Sequence, residues 1–162
     1  MSGFAVRDAT PRDGAFIADM LVEAANWRGL PSVTRAEVLS GMQRRYIAGW
    51  PRPSDAGVIA TDDMGSAIGA AWYRVLPRSE PGFGFVATGV PELVIGVRAP
   101  WRSLGVGRAL MTALIAQAGR AGHARLALSV ERGNHAATLY RDLGFREVDS
   151  SPERVTMVRR LH

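Results

Sequence analysis

The chain of 162 residues contains no cysteine and no lysine, and its apolar runs are far shorter than the roughly 18 residues that a membrane-spanning helix needs. Without cysteine it forms no disulfide, carries no thiolate nucleophile and offers no sulfur ligand to a metal. The histidines His123, His135 and His162 show no metal-ligand spacing, so we expect no metal. The N-terminus lacks a charged region followed by an apolar one, which predicts a cytoplasmic protein without membrane contact.

All 20 basic residues are arginine, and the net charge is +5 with an isoelectric point near 10.9. The arginines are scattered from Arg7 to Arg160, whereas a nucleic-acid interface needs clustered charge. We therefore expect no nucleic-acid partner; DNA binding with a steep salt dependence is the last-ranked alternative. Apolar residues make up 47% of the chain. Together with the length, this predicts one globular domain over residues 1–162.

A loop between Val97 and Arg108 contains two glycines, Gly105 and Gly107, where a long apolar helix should begin. Glycine costs about 1 kcal/mol relative to alanine inside a helix, so its presence there indicates a ligand close to the backbone. The unpaired N–H groups of a helix N-terminus favour a phosphate or pyrophosphate. A Walker loop would need lysine, and a dinucleotide fingerprint would need a small residue where Leu110 stands. The loop therefore predicts an anion site of another kind.

Hydrophobic periodicity and turn signals predict seven strands and four helices. The strands fall at residues 4–7, 57–61, 67–75, 92–97, 125–130, 145–148 and 155–158, and the helices at 11–25, 34–48, 104–121 and 134–143. The strand, helix and strand between residues 92 and 130 predict a parallel crossover. The connection 76–90 contains three glycines and two prolines, and connections of this length are often functional.

Two blocks of sequence together resemble the GCN5-related N-acetyltransferase (GNAT) superfamily. Arg102-x-x-Gly105-x-Gly107 is similar to its acyl-CoA pyrophosphate loop. Further along the chain, a second block is similar to its other signature: Leu128-Ser129-Val130, Asn134, Ala137, Leu139-Tyr140 and Leu143-Gly144-Phe145. The resemblance covers Glu92 to Phe145. It implies a three-layer α-β-α fold with about four helices and a mixed, mostly antiparallel sheet of six to seven strands, splayed between strands 4 and 5.

The resemblance also implies that acetyl-CoA binds in the splayed gap. The backbone of Ile95 and Val97 would bind the pantetheine arm, and Tyr140 would hydrogen-bond the departing thiolate. Asn134 is either a cofactor contact or only a helix cap. The pyrophosphate would be held by the loop residues Arg102, Ser103, Leu104, Gly105, Val106, Gly107 and Arg108.

Direct transfer to an amine needs a base, because an amine with a pKa near 10 is almost fully protonated at pH 7. Glu92 is the first candidate by resemblance. Strand parity places it on the face opposite to Val97, unless a bulge at Gly96 restores the geometry. Glu80, Glu131 or a chain of water molecules are the substitutes.

The acceptor pocket is predicted only loosely. The aromatic candidates for its lining are Trp27, Tyr46, Trp72, Tyr73, Phe83 and Phe85, and the acids that would attract a cationic amine are Glu80, Asp149 and Glu153. From these candidates, Trp27, Tyr73, Glu80 and Phe83 are our predicted substrate-binding residues. The resemblance implies an N-acetyltransferase acting on a primary amine, with a small molecule favoured, and leaves room for a homodimer. A protein N-terminus or lysine as acceptor, and a non-catalytic acyl-CoA sensor, remain alternatives.

Overall fold

The computed structural model describes residues 3–29 and 33–161, which form one seven-stranded sheet with helices on both faces. The strands are β1 (Phe4–Asp8), β2 (Ala56–Asp62), β3 (Ala67–Arg74), β4 (Glu92–Val97), β5 (Arg125–Glu131), β6 (Arg146–Ser150) and β7 (Arg154–Arg160). The described α-helices are α1 (Gly14–Ala25), α2 (Arg35–Ser40), α3 (Val106–Arg120) and α4 (Ala136–Asp142). None of these helices is long and apolar enough to cross a membrane. The predicted three-layer architecture is confirmed.

The sheet has the order β1-β2-β3-β4-β5-β7-β6, and every neighbouring pair is antiparallel except β4 with β5. That pair is parallel because α3 crosses from the end of β4 back to the start of β5. Its register contains a single residue pair, Glu92 opposite Ala127. Beyond this pair the two strands diverge, which confirms the predicted splay.

The helices divide the apolar residues of the chain into two cores. On one face, α3 buries Leu110, Met111 and Leu114 completely against the sheet. On the other face, Ile17 and Met20 of α1 are fully buried beside strand residues that alternate with those of the first core. This alternation follows from the two-residue period of a strand.

Two predicted helix boundaries are wrong. The predicted helix 34–48 ends at Ser40, and a 3-10 helix (Met42–Tyr46) follows, because Gly41 has extended backbone angles. The predicted helix 104–121 begins at Val106, because Ser103 and Gly105 have φ angles of 61° and 88° in the left-handed region. Gly105 therefore precedes the helix.

A buried ion pair anchors the segment after α2 to the sheet. Arg74 on β3 donates two hydrogen bonds to Asp55, of 2.9 and 2.6 Å, and both side chains are 1% exposed. Its remaining terminal nitrogen donates to the carbonyls of Arg45 and Ala48. The pair is therefore well hydrogen-bonded, as burial of charge requires, and it fixes the position of the neighbouring Tyr46.

Gly96 lets α1 approach β4 closely. A Cβ atom on Gly96 would overlap the carbonyl oxygen of Met20. The β3–β4 register is regular from Glu92 to Val97. The bulge at Gly96 that would have brought Glu92 to the same face as Val97 is therefore not formed. Glu92 and Gly96 consequently face α1, whereas Ile95 and Val97 face α3.

We predict that Gly96→Ala destabilises the fold by about 1–3 kcal/mol, because the added methyl group must displace the backbone of α1. Gly119→Ala is the matched control, since a Cβ there meets no atom within 4 Å and alanine favours the helix by up to about 1 kcal/mol. Urea denaturation of both variants measures the difference. If Gly96→Ala and Gly119→Ala have equal free energies of unfolding, the packing of α1 against β4 does not require glycine at position 96.

Candidate active site

The connection between β3 and β4 is wedged between β4 and β5 where their pairing ends. A Cβ on Gly84 would lie 2.7 Å from the carbonyl carbon of Leu128 on β5, and one on Gly82 would overlap Glu92 and Tyr46. The N–H groups of both glycines donate to the Glu92 carboxylate, at 3.1 and 2.9 Å. The two glycines thus allow this loop to fill the base of the divergence between the strands.

Above this wedge, a cavity of about 380 Å³ lies between the diverging strands and is lined by residues from both faces of the sheet. Its α3 side is mostly apolar. The residues that line this side include Leu93, Ile95, Val97, Gly107, Leu139 and Tyr140. Its α1 side is more polar and contains Glu23, Trp27, Gln43, Tyr46, Phe83, Ser129, Glu131 and Arg154. The cavity therefore has two chemically different halves.

A row of backbone donors borders the apolar half. Within the described chain, the N–H groups of residues 103–108 donate to no acceptor, and the first helical bond after them runs from Ala109 N to the Gly105 carbonyl. A Cβ on Gly107 would point toward Leu139 and Ile95, at 3.6 and 4.0 Å. The side chains of Leu104 and Arg108 are exposed, and Arg108 contacts Asp142 at 3.2 Å. These positions therefore offer N–H groups rather than side chains, as an anion site at a helix N-terminus requires.

The free edge of β4 supplies further backbone groups. The Pro91 carbonyl accepts a hydrogen bond from Ala127 N on β5. Since backbone groups alternate in direction along a strand, those of Ile95 and Val97 point to this same edge, beyond the last residue paired with β5. Arg102 donates from Nε to the Val97 carbonyl at 3.1 Å and from a terminal nitrogen to Glu23 at 2.7 Å. Arg102 therefore ties the loop to β4 and α1.

Tyr140 on α4 lines the apolar half and is 7% exposed. Burial raises the pKa of its phenol well above the usual range, and its hydroxyl has no hydrogen-bond partner in the described part of the chain. Asn134 also lines the cavity, and its Oδ1 accepts from Ala136 N at 2.9 Å. Asn134 therefore caps the start of α4 through this hydrogen bond. Its contact with a ligand stays a prediction.

Glu92 lies beneath the polar half and is 1% exposed. Its carboxylate accepts a hydrogen bond of 3.0 Å from the Tyr46 hydroxyl, besides those from the two glycines. Burial raises the pKa of Glu92, against the opposing effect of these hydrogen bonds. Glu92 does not itself line the cavity, whereas Tyr46 does. The Tyr46 hydroxyl thus connects the carboxylate to the cavity.

The structure places only some of the predicted acceptor residues at the cavity. Trp27 and Phe83 line it, but Tyr73 is buried in the core on the α3 face, where it contacts His123 edge to face. Glu80 is exposed beside a separate shallow pocket. Tyr73 and Glu80 do not line this cavity, because strand parity turns the first away and the second precedes the wedged loop.

Two further expectations about acidic residues are also corrected. Asp149 and Glu153 are exposed and do not line the cavity. The acids that line it are Glu23 and Glu131, and Glu131 accepts a hydrogen bond of 2.6 Å from Trp27 Nε1. Three further lining residues, Glu23, Gln43 and Arg154, were not predicted from the sequence. None of them stands in a motif, and β7 is brought next to β5 only by the sheet order.

The fold and the sequence match known acetyltransferases. A GCN5-related N-acetyltransferase from Kribbella flavida is 26% identical, with a TM-score of 0.67 over 97% of both chains. A GNAT family acetyltransferase from Staphylococcus aureus Mu50 is 12% identical, with a TM-score of 0.70 over 99% of this chain and 100% of that one. One from Streptococcus pneumoniae is 18% identical, with a TM-score of 0.66 over 98% and 99%. Among curated proteins, none matches this chain.

The family model described as the acetyltransferase (GNAT) family matches residues 16–145, which include the wedged loop, the row of backbone donors and Tyr140. This match spans most of the chain and agrees with the two sequence blocks. The chain therefore belongs to the GNAT acetyltransferase family.

Proposed function

We propose that this protein transfers an acetyl group from acetyl-CoA directly to a primary amine, with a small molecule as the favoured acceptor. The observation that carries this proposal is the cavity between β4 and β5, which has charged side chains along its polar half. Its apolar half is bordered by a row of backbone donors without an acceptor in the described part of the chain. Acetyl-CoA would supply the activated acyl group and a thiolate leaving group. No group of three or more metal-ligating side chains occurs among the described residues.

On the cofactor side, the N–H groups of residues 103–108 would bind the pyrophosphate. Charge-assisted hydrogen bonds of this kind are about twice as strong as neutral ones. The free backbone groups of Ile95 and the N–H group of Val97 would bind the pantetheine arm in the manner of an added strand. Asn134 is a further contact on this side. The apolar lining from Leu139 and its neighbours suits the alkyl part of the arm.

Tyr140 would donate a hydrogen bond to the sulfur as it leaves. The raised pKa of its phenol disfavours loss of the proton, so the hydroxyl stays a donor throughout. Tyr140 lines the cavity, and its hydroxyl donates to no acceptor in the described part of the chain. The absence of a competing acceptor therefore supports its assignment to the departing thiolate.

For removal of the amine proton, we propose a relay from the cavity through the Tyr46 hydroxyl to Glu92. The hydroxyl donates to Glu92 and accepts from Phe83 N at 2.8 Å. Proton loss to the carboxylate and proton gain from the amine would occur together, because burial and the Glu92 charge raise the pKa of Tyr46 and disfavour a free phenolate. Glu131 is the second candidate, because its carboxylate lines the cavity directly.

We predict that Gly105→Val weakens acetyl-CoA binding at least about tenfold, which equals 1.4 kcal/mol. The residue has a φ of 88°, so a side chain there strains the loop and moves its N–H groups. Gly65→Val is the matched control, since Gly65 has a φ of 82° and equally open surroundings in the β2–β3 turn. Calorimetric titration with acetyl-CoA measures the affinity of both variants. The absence of acetyl-CoA binding by the wild type would contradict the proposed function.

We predict that Tyr140→Phe lowers kcat about 100-fold while it changes the free energy of unfolding by less than about 0.5 kcal/mol, because the hydroxyl has no protein partner to lose. Thiol release during turnover of an acetylated amine measures the rate, and urea denaturation measures the stability. An unchanged rate would remove Tyr140 from the mechanism. Acetyl-CoA binding without thiol release for any amine would favour the sensor alternative.

We predict that Glu92→Gln lowers kcat/KM about 100-fold and removes its acid limb. Burial raises the pKa of Glu92, so this limb should lie above the usual glutamate value of about 4.3. The folded state then holds the proton more tightly, and the wild type should lose stability relative to the variant as the pH rises from about 4.3. Glu131→Gln is the control. Loss of the acid limb in that variant alone would make Glu131 the base.

A further inference from the structure

One charged side chain at the cavity lacks a partner of opposite charge. Four charged side chains line the cavity: Glu23, Arg102, Glu131 and Arg154. Glu23 and Arg102 bind one another at 2.7 Å, and Glu131 lies 3.6 Å from Arg28. Within residues 3–29 and 33–161, no carboxylate lies within ion-pair distance of Arg154. Its positive charge is therefore not balanced by a local ion pair.

The lack of a partner is notable because an acid stands directly opposite. Glu131 on β5 and Arg154 on β7 are paired in register, and such cross-strand pairs of opposite charge normally attract. Glu131 instead accepts from Trp27 Nε1, and Arg154 turns to Ser129 and Phe83. The two side chains are thus held apart at the cavity wall.

The contacts of Arg154 orient its guanidinium and leave most of its donors free. One terminal nitrogen donates to Ser129 Oγ at 3.2 Å, and the guanidinium carbon lies 3.9 Å from the centre of the Phe83 ring. A guanidinium has five N–H donors in a planar fork that matches a carboxylate. The other four donors have no acceptor in the described part of the chain. The guanidinium of Arg154 is therefore oriented to bind a planar anion in the cavity.

Arg154 also lies next to the proposed proton relay. Phe83 contacts the guanidinium with its ring and donates from its backbone N–H to the Tyr46 hydroxyl at 2.8 Å. An anion on Arg154 would bring the rest of the acceptor close to Tyr46.

We propose that Arg154 binds a carboxylate of the acceptor, so that the preferred substrates are small amines that carry a carboxylate, amino acids among them. This inference rests on the proposed acetyl transfer and deepens it by naming the substrate class. It replaces the expectation that acids at the site attract a cationic amine. The amine reacts at the sheet gap while the carboxylate stays on the fork of Arg154.

The test compares acceptors that differ only in the anionic group. L-phenylalanine, L-methionine and L-leucine are each assayed beside the corresponding carboxamide and the decarboxylated amine, with acetyl-CoA and detection of thiol release. The amine of a carboxamide is less basic than that of the amino acid, and the decarboxylated amine is more basic. A kcat/KM that is highest for the amino acid therefore cannot arise from amine basicity.

The variant Arg154→Gln should raise KM for the amino acids about tenfold to 100-fold, the range expected for loss of hydrogen bonds to a charged group. Its kcat, its rates with the carboxamides and its affinity for acetyl-CoA should change little. Arg160→Gln is the matched control, because Arg160 is exposed on the same strand and does not line the cavity. Melting temperatures and acetyl-CoA titrations show whether each variant folds.

Each outcome separates this inference from the proposed function. If the wild type prefers the amino acids and Arg154→Gln does not, the result supports both the proposed acetyl transfer and the role of Arg154. Equal or higher kcat/KM for the carboxamides and decarboxylated amines supports acetyl transfer and contradicts the role of Arg154. A fall in kcat with KM unchanged also contradicts carboxylate binding. Acetyl-CoA binding without thiol release from any of the nine amines contradicts the proposed function, and the inference with it.

Discussion

Parallel pairing between β4 and β5 stops after Glu92 and Ala127, and the site exists because it stops there. Continued pairing would consume the backbone groups of Ile95 and Val97 and close the cavity. The wedged loop fills the base of the divergence and gives the Glu92 carboxylate two of its hydrogen bonds. The separation of the strands is thus built into the sheet.

Buried polar groups hold the surrounding segments against this sheet. Burial of a carboxylate or guanidinium is expensive unless hydrogen bonds compensate for the lost water. Arg74 makes four hydrogen bonds, to Asp55 and two carbonyls, and Glu92 accepts three. Both networks meet at the 3-10 segment around Tyr46. The same contacts that order this irregular part of the chain also place its hydroxyl at the cavity.

The two halves of the cavity are made in different ways. The apolar half offers backbone N–H groups of consecutive residues, and these need only bare glycines and a helix that begins at the right place. The polar half is made from side chains of α1, the segments around Trp27 and Phe83, β5 and β7. A consecutive motif leaves a pattern in the sequence, whereas side chains that converge from distant elements leave none. The half proposed to bind the cofactor was therefore the more predictable, and the half proposed to bind the acceptor the less predictable.

Local periodicity and turn chemistry determined the strands, the crossover through α3 and the glycine loop, because each depends on neighbours within a few residues. Tyr140 was predicted from the resemblance to the GNAT family. The break at Gly41, the left-handed turn at Ser103 and the contacts of Glu92 required the folded chain. Strand parity turns Tyr73 into the core, and Glu80 stays outside because it precedes the wedged loop. Only the sheet order decided that Arg154 reaches the cavity. The physical reason is that β7 enters between β5 and β6, which sets residue 154 beside residue 131 although 22 residues separate them in sequence.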